Sequence, residues 1–453
     1  MKPSIPKGTR DFLPSQVYKR NFIFETIRSV FKKYGYQPIE TPTMELLSTL
    51  TGKYGEEGDK LLFKVLNNGD FLSKADGKAL EEKRSNDVLP QISKRGLRYD
   101  LTVPFARYVV MHQNDIQFPF KRYHIQPVWR ADRPQKGRYQ EFYQCDVDVV
   151  GSDSLMYEAE LVQIFDEALH KLNVKSIIKV NNRKVLYGLA EAHSIADKFM
   201  DMTMAIDKLD KIGKERVIEE MTKRDIPQLA AEGVLELLHI DNLTDLEKAF
   251  ENCPEGMKGI EELKEFHNYL DLTTTYNKVK FDISLARGLN YYTGCIFEVE
   301  ADTEFYPNLK MGSIGGGGRY DNLTGVFGLQ GVSGVGVSFG AERIYDVMEE
   351  EDLFPEGVEK DLDVLLIAFD DVSHKYAFKV LHKMREMNVV SDLYPSPAKM
   401  KKQMKYADSR NVPFVVLIGS EEVESGILTL KNMVTGEQAK LSLDDIIKKL
   451  AIV

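Results

Sequence analysis

The sequence predicts an α+β protein in two parts, a strand-rich core interrupted by a helical insertion and then a small α/β unit. Three stretches carry that reading. Residues 120 to 151 alternate side-chain character on either side of a charged loop, the pattern of a long hairpin. From about 185 to 275 the chain is helix-forming and nearly free of β-rich runs. From 361 to 453 short apolar strands alternate with helical stretches, as in a self-contained α/β unit. At 453 residues the chain also exceeds one ordinary core of ~100–200 residues.

The elements follow in order. Phe22, Ile23, Thr26, Ile27, Val30, Phe31 and Tyr34 recur at helical spacing, with Gly35 as a left-handed cap. Pro38 and Pro42 force an extended segment; KLLFKV reads as a strand, and LRYDLTVPFARYVV as a strand running into a helix. Between them, residues 67–96 are charged and contain glycine, which predicts a mobile insertion. In the hairpin, Phe142, Gln144, Asp146 and Asp148 share one strand face, and Tyr143, Cys145, Val147 and Val149 the other. Its loop concentrates Arg130, Asp132, Arg133, Lys136 and Arg138. A helix over 157–172 leads to the helical insertion. Strand signals return in VKFDISLARGLNYYTGCIFEVEA, followed by a Gly-rich turn and by GVGVSFGAERIYDVMEE, a small-residue strand running into a helix. Residues 351–360 form an acidic linker with Pro and Gly, and the last part holds three strands, two intervening helices, a hairpin and a final helix.

Composition excludes several classes of function. No stretch approaches the ~18 apolar residues of a membrane span, and the opening MKPSIPKGTRDFLP lacks the apolar core of a signal peptide, so a cytoplasmic protein is expected. Cys145, Cys253 and Cys295 have neither zinc-site spacing nor a disulfide framework. The net charge of −10 argues against indiscriminate coating of nucleic acid and leaves room for a local basic patch. Phosphate-loop, dinucleotide and Ser-His-Asp signatures are missing. What remains is a set of arginines without a nucleophile, suited to binding and polarising phosphate.

Three short motifs stand out. In GGGGRYDNL, glycines 315–318 on their own favour a bulge or tight turn; the functional alternative is close backbone approach to a flat ligand beside Arg319 or Tyr320. YDLTVP sets Asp100 and Thr102 on one strand face, able to accept hydrogen bonds from an ammonium group. LARGLNYYTG gathers Arg287, Tyr291 and Tyr292 around a glycine in a strand that reads as buried.

In combination, these motifs resemble the class II aminoacyl-tRNA synthetases, in the form of the histidyl-tRNA synthetase family. FKRYHIQPVWRADRPQKGRYQEFYQCDVDVVG is similar to the second class signature and GVGVSFGAERIYDVM to the third. LARGLNYYTG and GGGGRYDNL look like the two histidine-specific motifs. GYQPIETPTMEL is similar to the first signature, a dimer-interface helix and strand, and the C-terminal unit with KMKKQMKYADSR and VPFVVLIG to the anticodon-binding domain. The resemblance covers nearly the whole chain. It implies an antiparallel-sheet catalytic core over 1–350 carrying the helical insertion, and an anticodon-binding domain over 361–453.

The resemblance also implies an activity: ATP-dependent ligation of L-histidine to tRNA(His) through a histidyl-adenylate, with ATP as a substrate, Mg2+ as cofactor, a homodimer and no membrane partner. Residue by residue, it makes Arg130 and Arg343 the arginines that grip the α- and γ-phosphates, and stacks Phe142 on adenine. Asp100, Thr102 and Gln144 hold the α-amino group of histidine, while Asp148 and Tyr292 face its imidazole. Arg287 lies against the carboxylate and α-phosphate, and Tyr291 and Tyr320 line the pocket. Arg133, Gln135, Lys136 and Arg138 meet the acceptor end of the tRNA, and no residue is assigned as a metal ligand. Asn290 stands where the family usually has Asp and is left out of the catalytic set. The rival class is a non-catalytic, synthetase-like histidine-sensing regulatory protein. That rival should lack the anticodon-binding unit and the Arg-Gly-Leu-x-Tyr-Tyr motif, and this sequence has both.

Overall fold

The structure, a computed structural model, describes residues 2–52, 55–286, 291–359 and 361–450. The chain forms two compact units, one reaching to Phe354 and the other starting at Pro355 and including residues 13–18.

The first unit is built on an eight-stranded sheet. Its strands are β1 (Gln37–Pro38), β2 (Phe120–Trp129), β3 (Glu141–Val150), β4 (Ser176–Asn182), β5 (Lys278–Phe281), β6 (Cys295–Ala301), β7 (Gly315–Arg319) and β8 (Gly334–Gly340). They lie in the order β1-β2-β3-β8-β7-β6-β4-β5. All inner neighbours are antiparallel, and only the two edge pairs, β1 with β2 and β4 with β5, are parallel. The period of two sorts β3 as its sequence predicts. Cys145, Val147 and Val149 face a core with Tyr123 of β2 and Val335, Val337 and Phe339 of β8. Helices α1 (Pro14–Lys33) and α3 (Met156–Lys171) cover that face with Ile27, Val30, Phe31, Leu161, Val162 and Phe165. The Phe339 ring lies 4.5 Å from Phe165 and 5.8 Å from Phe31.

The opposite face of the sheet is polar and still buried, which alternation alone leaves open. Arg122, His124 and Gln126 of β2 stand in register with Asp148, Asp146 and Gln144 of β3. Arg98 pins the edge of this seam, its guanidinium donating to the carbonyls of Pro127 and Thr41 and to Gln126 Oε1, all at 2.7–2.8 Å. Gln126 Oε1 only accepts, so His124 presents Nε2–H to it. Burial, and then Arg122, pull the His124 pKa down to about 3, so the ring is neutral in the fold.

Glycines 315–318 form no turn: they are β7, in the middle of the sheet. A Cβ on Gly317 would lie 2.1 Å from the Gly336 carbonyl oxygen, and one on Gly315 2.7 Å from the Phe165 ring. Glycine is required here by the close approach of the neighbouring strand and of the Phe165 ring, a cause distinct from both the turn and the ligand contact that the sequence offered. Asp100 and Thr102 are likewise not on a strand. Thr102 opens helix α2 (Thr102–Met111), and Asp100 Oδ1 accepts from the Val103 amide at 3.2 Å. Strand β6 begins only at Cys295, so Tyr291 and Tyr292 lie in irregular chain; Arg287 and Asn290 fall outside the described residues.

Residues 67–96, expected as a mobile insertion, carry two short helices, Gly77–Glu81 and Ser85–Ile92. Asp76 caps the first, and the Asn67 amide closes the base on the Ile92 carbonyl. The helical insertion runs between β4 and β5, from α4 (Arg183–Ala192) to α5 (Pro254–Leu270). These two helices close on each other at Gly188 and Gly256, where a Cβ on Gly188 would sit 2.6 Å from the Gly256 Cα.

In the second unit, strands Ser391–Leu393, Val364–Ala368 and Phe414–Ile418 are parallel, and the hairpin Leu428–Asn432 and Gln438–Leu441 adds on antiparallel. Its core holds Leu366, Leu381, Met384, Val416 and Ile446. On the basic helix Met400–Ser409, Lys401, Lys402 and Lys405 are exposed, whereas Arg410 just after it is tied to Asp361 at 2.6 Å and Asp392 at 3.3 Å.

His124 sets a pH dependence. Its folded pKa lies below the ~6.5 of an unfolded histidine, so the unfolded chain takes up the extra proton and stability from this group is lost as pH falls from 6.5 towards 3. His124→Gln removes that loss. Between pH 7.5 and 5.0 the urea midpoint of the variant should shift relative to the parent by the equivalent of about 2 kcal/mol in its favour; a constant difference across this range refutes the neutral, buried ring.

Candidate active site

Above the polar face lies a cleft of about 480 Å³. Its floor follows from which strands carry side chains. β2 and β3 supply the polar groups, while on β8 the site face reads Gly336, Ser338 and Gly340, opposite Asp148, Asp146 and Gln144. A Cβ on Gly336 would fall 1.9 Å from Asp148 Oδ1, so this floor admits no larger residue there.

Arg130, Phe142, Gln144, Tyr292 and Arg343 line the cleft together, with Arg138 at its rim. Arg130 stands 5.1 Å from the Phe142 ring centroid and 4.4 Å from that of Tyr99. Its Nε donates to the Tyr99 carbonyl at 3.0 Å, and Nη2 to Gln144 Oε1 at 3.3 Å. Gln144 is held from its other end, Nε2 donating to Ser338 Oγ at 2.8 Å. Arg343, at the start of helix α6 (Ala341–Glu350), donates Nε to the Gly137 carbonyl at 2.8 Å and Nη1 to the Ser313 carbonyl at 2.5 Å. Two arginines, an aromatic ring and a glycine-lined wall make a slot for a flat, polyanionic ligand.

Asp148 lies deeper, 2 % exposed. Tyr320 donates its hydroxyl to Oδ1 at 2.5 Å, and Arg122 brings Nη2 within 2.7 Å of Oδ2. The Tyr291 ring stands 5.0 Å from Tyr292 and 6.1 Å from Tyr320, both edge-on. Burial drives the Asp148 carboxyl upward, with Arg122 the largest opposing influence, and pushes Asp146 up to about 7. Burial beside Asp148 and Asp146 also holds the Tyr292 phenol protonated, well above its usual range. Asp100 is buried at the start of α2, and Thr102 half-buried beside it; neither lines the cleft.

Arg133, Gln135 and Lys136 are exposed at the tip of the hairpin loop, where Gln135 and Arg138 bridge around Gly137, whose φ is +69°. Lys136 is paired with Glu350, and Arg138 approaches Asp132 at 3.8 Å. Arg319 is not beside the cleft ligand space. It turns to the helix face, buried and paired through Nη2 with Glu158 of α3 at 2.8 Å.

Sequence reasoning missed Arg122, Ser338 and Glu298, of which the last two line the cleft, and gave Asp146 no role. Arg122, His124 and Gln126 alternate along β2 as Gln144, Asp146 and Asp148 do along β3, and that matching alternation was the available signal.

The histidyl-tRNA synthetase family model matches residues 8–73 and 66–344, and an anticodon-binding domain model matches 363–451. A protein named histidine–tRNA ligase from Christiangramia forsetii is 54% identical over 450 residues, covering 98% of each chain, and one of the same name from Phocaeicola vulgatus is 52% identical, again over 98% of each. The histidyl-tRNA synthetase of Nostoc sp. PCC 7120 superposes with a TM-score of 0.83 at 28% identity, over 100% of this chain and 99% of that one. A structure from Bacillus halodurans C, titled as an ATP phosphoribosyltransferase regulatory subunit/histidyl-tRNA synthetase, has a TM-score of 0.72 at 20% identity over 93% of this chain and 99% of that one, and shares the fold. The arginine-lined cleft, its aspartate-bearing floor and the matched length of chain lead to one conclusion: this chain belongs to the histidyl-tRNA synthetase family.

Proposed function

We propose that the chain joins L-histidine to tRNA(His) with ATP, through a histidyl-adenylate, for protein synthesis in the cytoplasm. The observation that carries this is the single cleft in which Arg130, Phe142 and Arg343 stand beside the Gln144 end of the buried aspartate floor. Full-length relatives named histidine–tRNA ligase and the anticodon-binding match at 363–451 support it over the regulatory reading.

In this reading adenine stacks on Phe142, Arg130 holds the α-phosphate and Arg343 the γ-phosphate. Gln144 receives the α-ammonium of histidine, with Asp100 and Thr102 assigned to the same group although they do not line the cleft, and Asp148 with Tyr292 its imidazole, between Tyr291 and Tyr320. Arg287 is assigned to the carboxylate and α-phosphate. The histidine carboxylate oxygen attacks the α-phosphorus, the bond to diphosphate breaks, and a terminal ribose hydroxyl then attacks the acyl carbon to release AMP. The carboxylate is already a nucleophile, so alignment and charge neutralisation carry the first step. Arg130 does this from a fixed position, with Nε anchored on Tyr99 and Nη2 on Gln144.

Among the described residues no group of three or more His, Cys, Asp or Glu side chains is placed to hold a metal. Carboxylates do line the cleft, Glu298 among them. This donor set fits a Mg2+ that keeps its waters and rides on the phosphates, not an all-protein cage. Bound there, it would neutralise phosphate charge.

Histidine should drive exchange of labelled diphosphate into ATP without tRNA, and chelation of Mg2+ should abolish that exchange. Absence of exchange with histidine, or equal exchange with other amino acids, overturns the reading.

Arg133 is assigned to the tRNA acceptor end because it is exposed at the loop tip and can offer two parallel donors to phosphate or a guanine edge. Arg133→Ala should leave exchange unchanged and weaken tRNA charging by ~1–3 kcal/mol. Charging at the parent's rate removes Arg133 from that role.

A homodimer is proposed from the segment similar to the first class signature. Light scattering should give twice the mass of one 51.7 kDa chain, and a fully active monomer at micromolar concentration contradicts it.

A further inference from the structure

One charged group on the site face has no part in the reaction above. Arg122 is fully buried, and unlike Arg98 it is not satisfied by carbonyls. Its Nη2 lies 2.7 Å from Asp148 Oδ2 as an ion pair, its guanidinium stands 4.0 Å over the Phe105 ring, and none of Nε, Nη1 and Nη2 makes a hydrogen bond with the described residues. A buried guanidinium with idle donors is costly. Its retention calls for a role that an apolar side chain cannot fill.

The register supplies one. Arg122 sits directly across the β2–β3 pair from Asp148, and their contact leaves the carboxylate fixed from both sides: Arg122 at Oδ2, the Tyr320 hydroxyl at Oδ1. Among the described residues, the other groups near Asp148 do not supply positive charge. Asp146 lies two residues along β3, His124 is neutral, and the Tyr292, Tyr320 and Tyr36 phenols stay protonated. Gly336 of β8 contributes only backbone, and α2 presents Phe105 and, at its start, Asp100. Arg122 is the strongest influence lowering the carboxyl pKa of both Asp148 and Asp146. Without it two buried carboxyls side by side on β3 would have no adjacent cation among the described residues, and at least one would take a proton near neutral pH.

We propose that Arg122 is a positioning residue for amino-acid selection: paired with Asp148 across the hairpin, it keeps that carboxylate ionised and oriented as the acceptor for the imidazole N–H of histidine. An ionised acceptor makes a hydrogen bond roughly twice as strong as a neutral one, and it cannot donate, so it selects a side chain that presents N–H. The proposal rests on the assignment of Asp148 to the imidazole.

The test is Arg122→Met, with Arg122→Lys as the charge-keeping control, in histidine-dependent diphosphate exchange. If the Asp148 carboxyl rises one unit above the assay pH it is ionised about one time in ten, so KM for histidine should rise about tenfold at pH 7 and return towards the parent's as pH rises to 9, measured as a ratio to the parent at each pH. KM for ATP should stay as in the parent, and Arg122→Lys should restore most of the histidine KM with no pH slope. Should Arg122→Met fail to fold, the double variant Arg122→Met/Asp148→Asn, which removes both charges, should fold, bind histidine weakly and show no pH recovery. An Arg122→Met enzyme with parental histidine KM, or with equal, pH-independent losses for histidine and ATP, overturns the proposal. So does a double variant that keeps the parent's histidine KM. Absence of exchange in the parent enzyme instead refutes the ligase reading itself, so the two failures are distinguishable.

Discussion

The architecture of the first unit depends on one constraint: two antiparallel strands, β2 and β3, are buried on both faces and must present apolar side chains on one and charged ones on the other. The two-residue period achieves this only in a single register, the one that sets Arg122 against Asp148 and Gln126 against Gln144. A slip of one residue would turn the aspartates into the α1 and α3 helices and the valines into the cleft. The ionic pairing is therefore also a register lock. Arg122 shares the burial of the aspartates and offsets its cost, and Arg98 fixes the neighbouring edge by donating to the carbonyls of Pro127 and Thr41.

Glycine completes what charge begins. Along glycines 315–318 of β7 and at Gly336 of β8 the absence of side chains lets backbone approach backbone and leaves Asp148 the room it occupies. The floor is thus polar where side chains reach in from β2 and β3 and bare where they do not. A ligand resting on it meets Gln144 and Ser338 on one side and peptide groups on the other.

Much of this was legible in the sequence, because strict alternation is a strong signal. Tyr143, Cys145, Val147 and Val149 read directly as a core-facing row, and the strand and helix alternation of the second unit was equally plain. Glycines 315–318 misled because a local reading of glycine describes a turn, while their actual cause is non-local: Phe165, Gly336 and Phe297 belong to other elements. Asp100 and Thr102 read as strand, yet the Val103 amide that Asp100 accepts marks the start of a helix. Arg122 escaped notice for a similar reason. An arginine in a strand reads as a solvated face, and only the pairing partner across the hairpin reveals that it is buried. Arg319 suggested a ligand contact from its neighbours in sequence, whereas strand alternation turns it to Glu158 on the other side of the sheet.

The Arg343 guanidinium is fastened to the Gly137 carbonyl in the hairpin loop. Because that carbonyl belongs to the same turn that presents Arg133 and Gln135, a cleft-lining arginine and the exposed loop tip are joined by a direct hydrogen bond. An anion that drew Arg343 off this carbonyl would remove one tether of the turn, which the paired amides of Gln135 and Arg138 also close, while the Ser313 carbonyl holds the same guanidinium. Where two ligands bias one such tether in opposite senses, thermodynamic reciprocity makes the effect of each on the other equal in size.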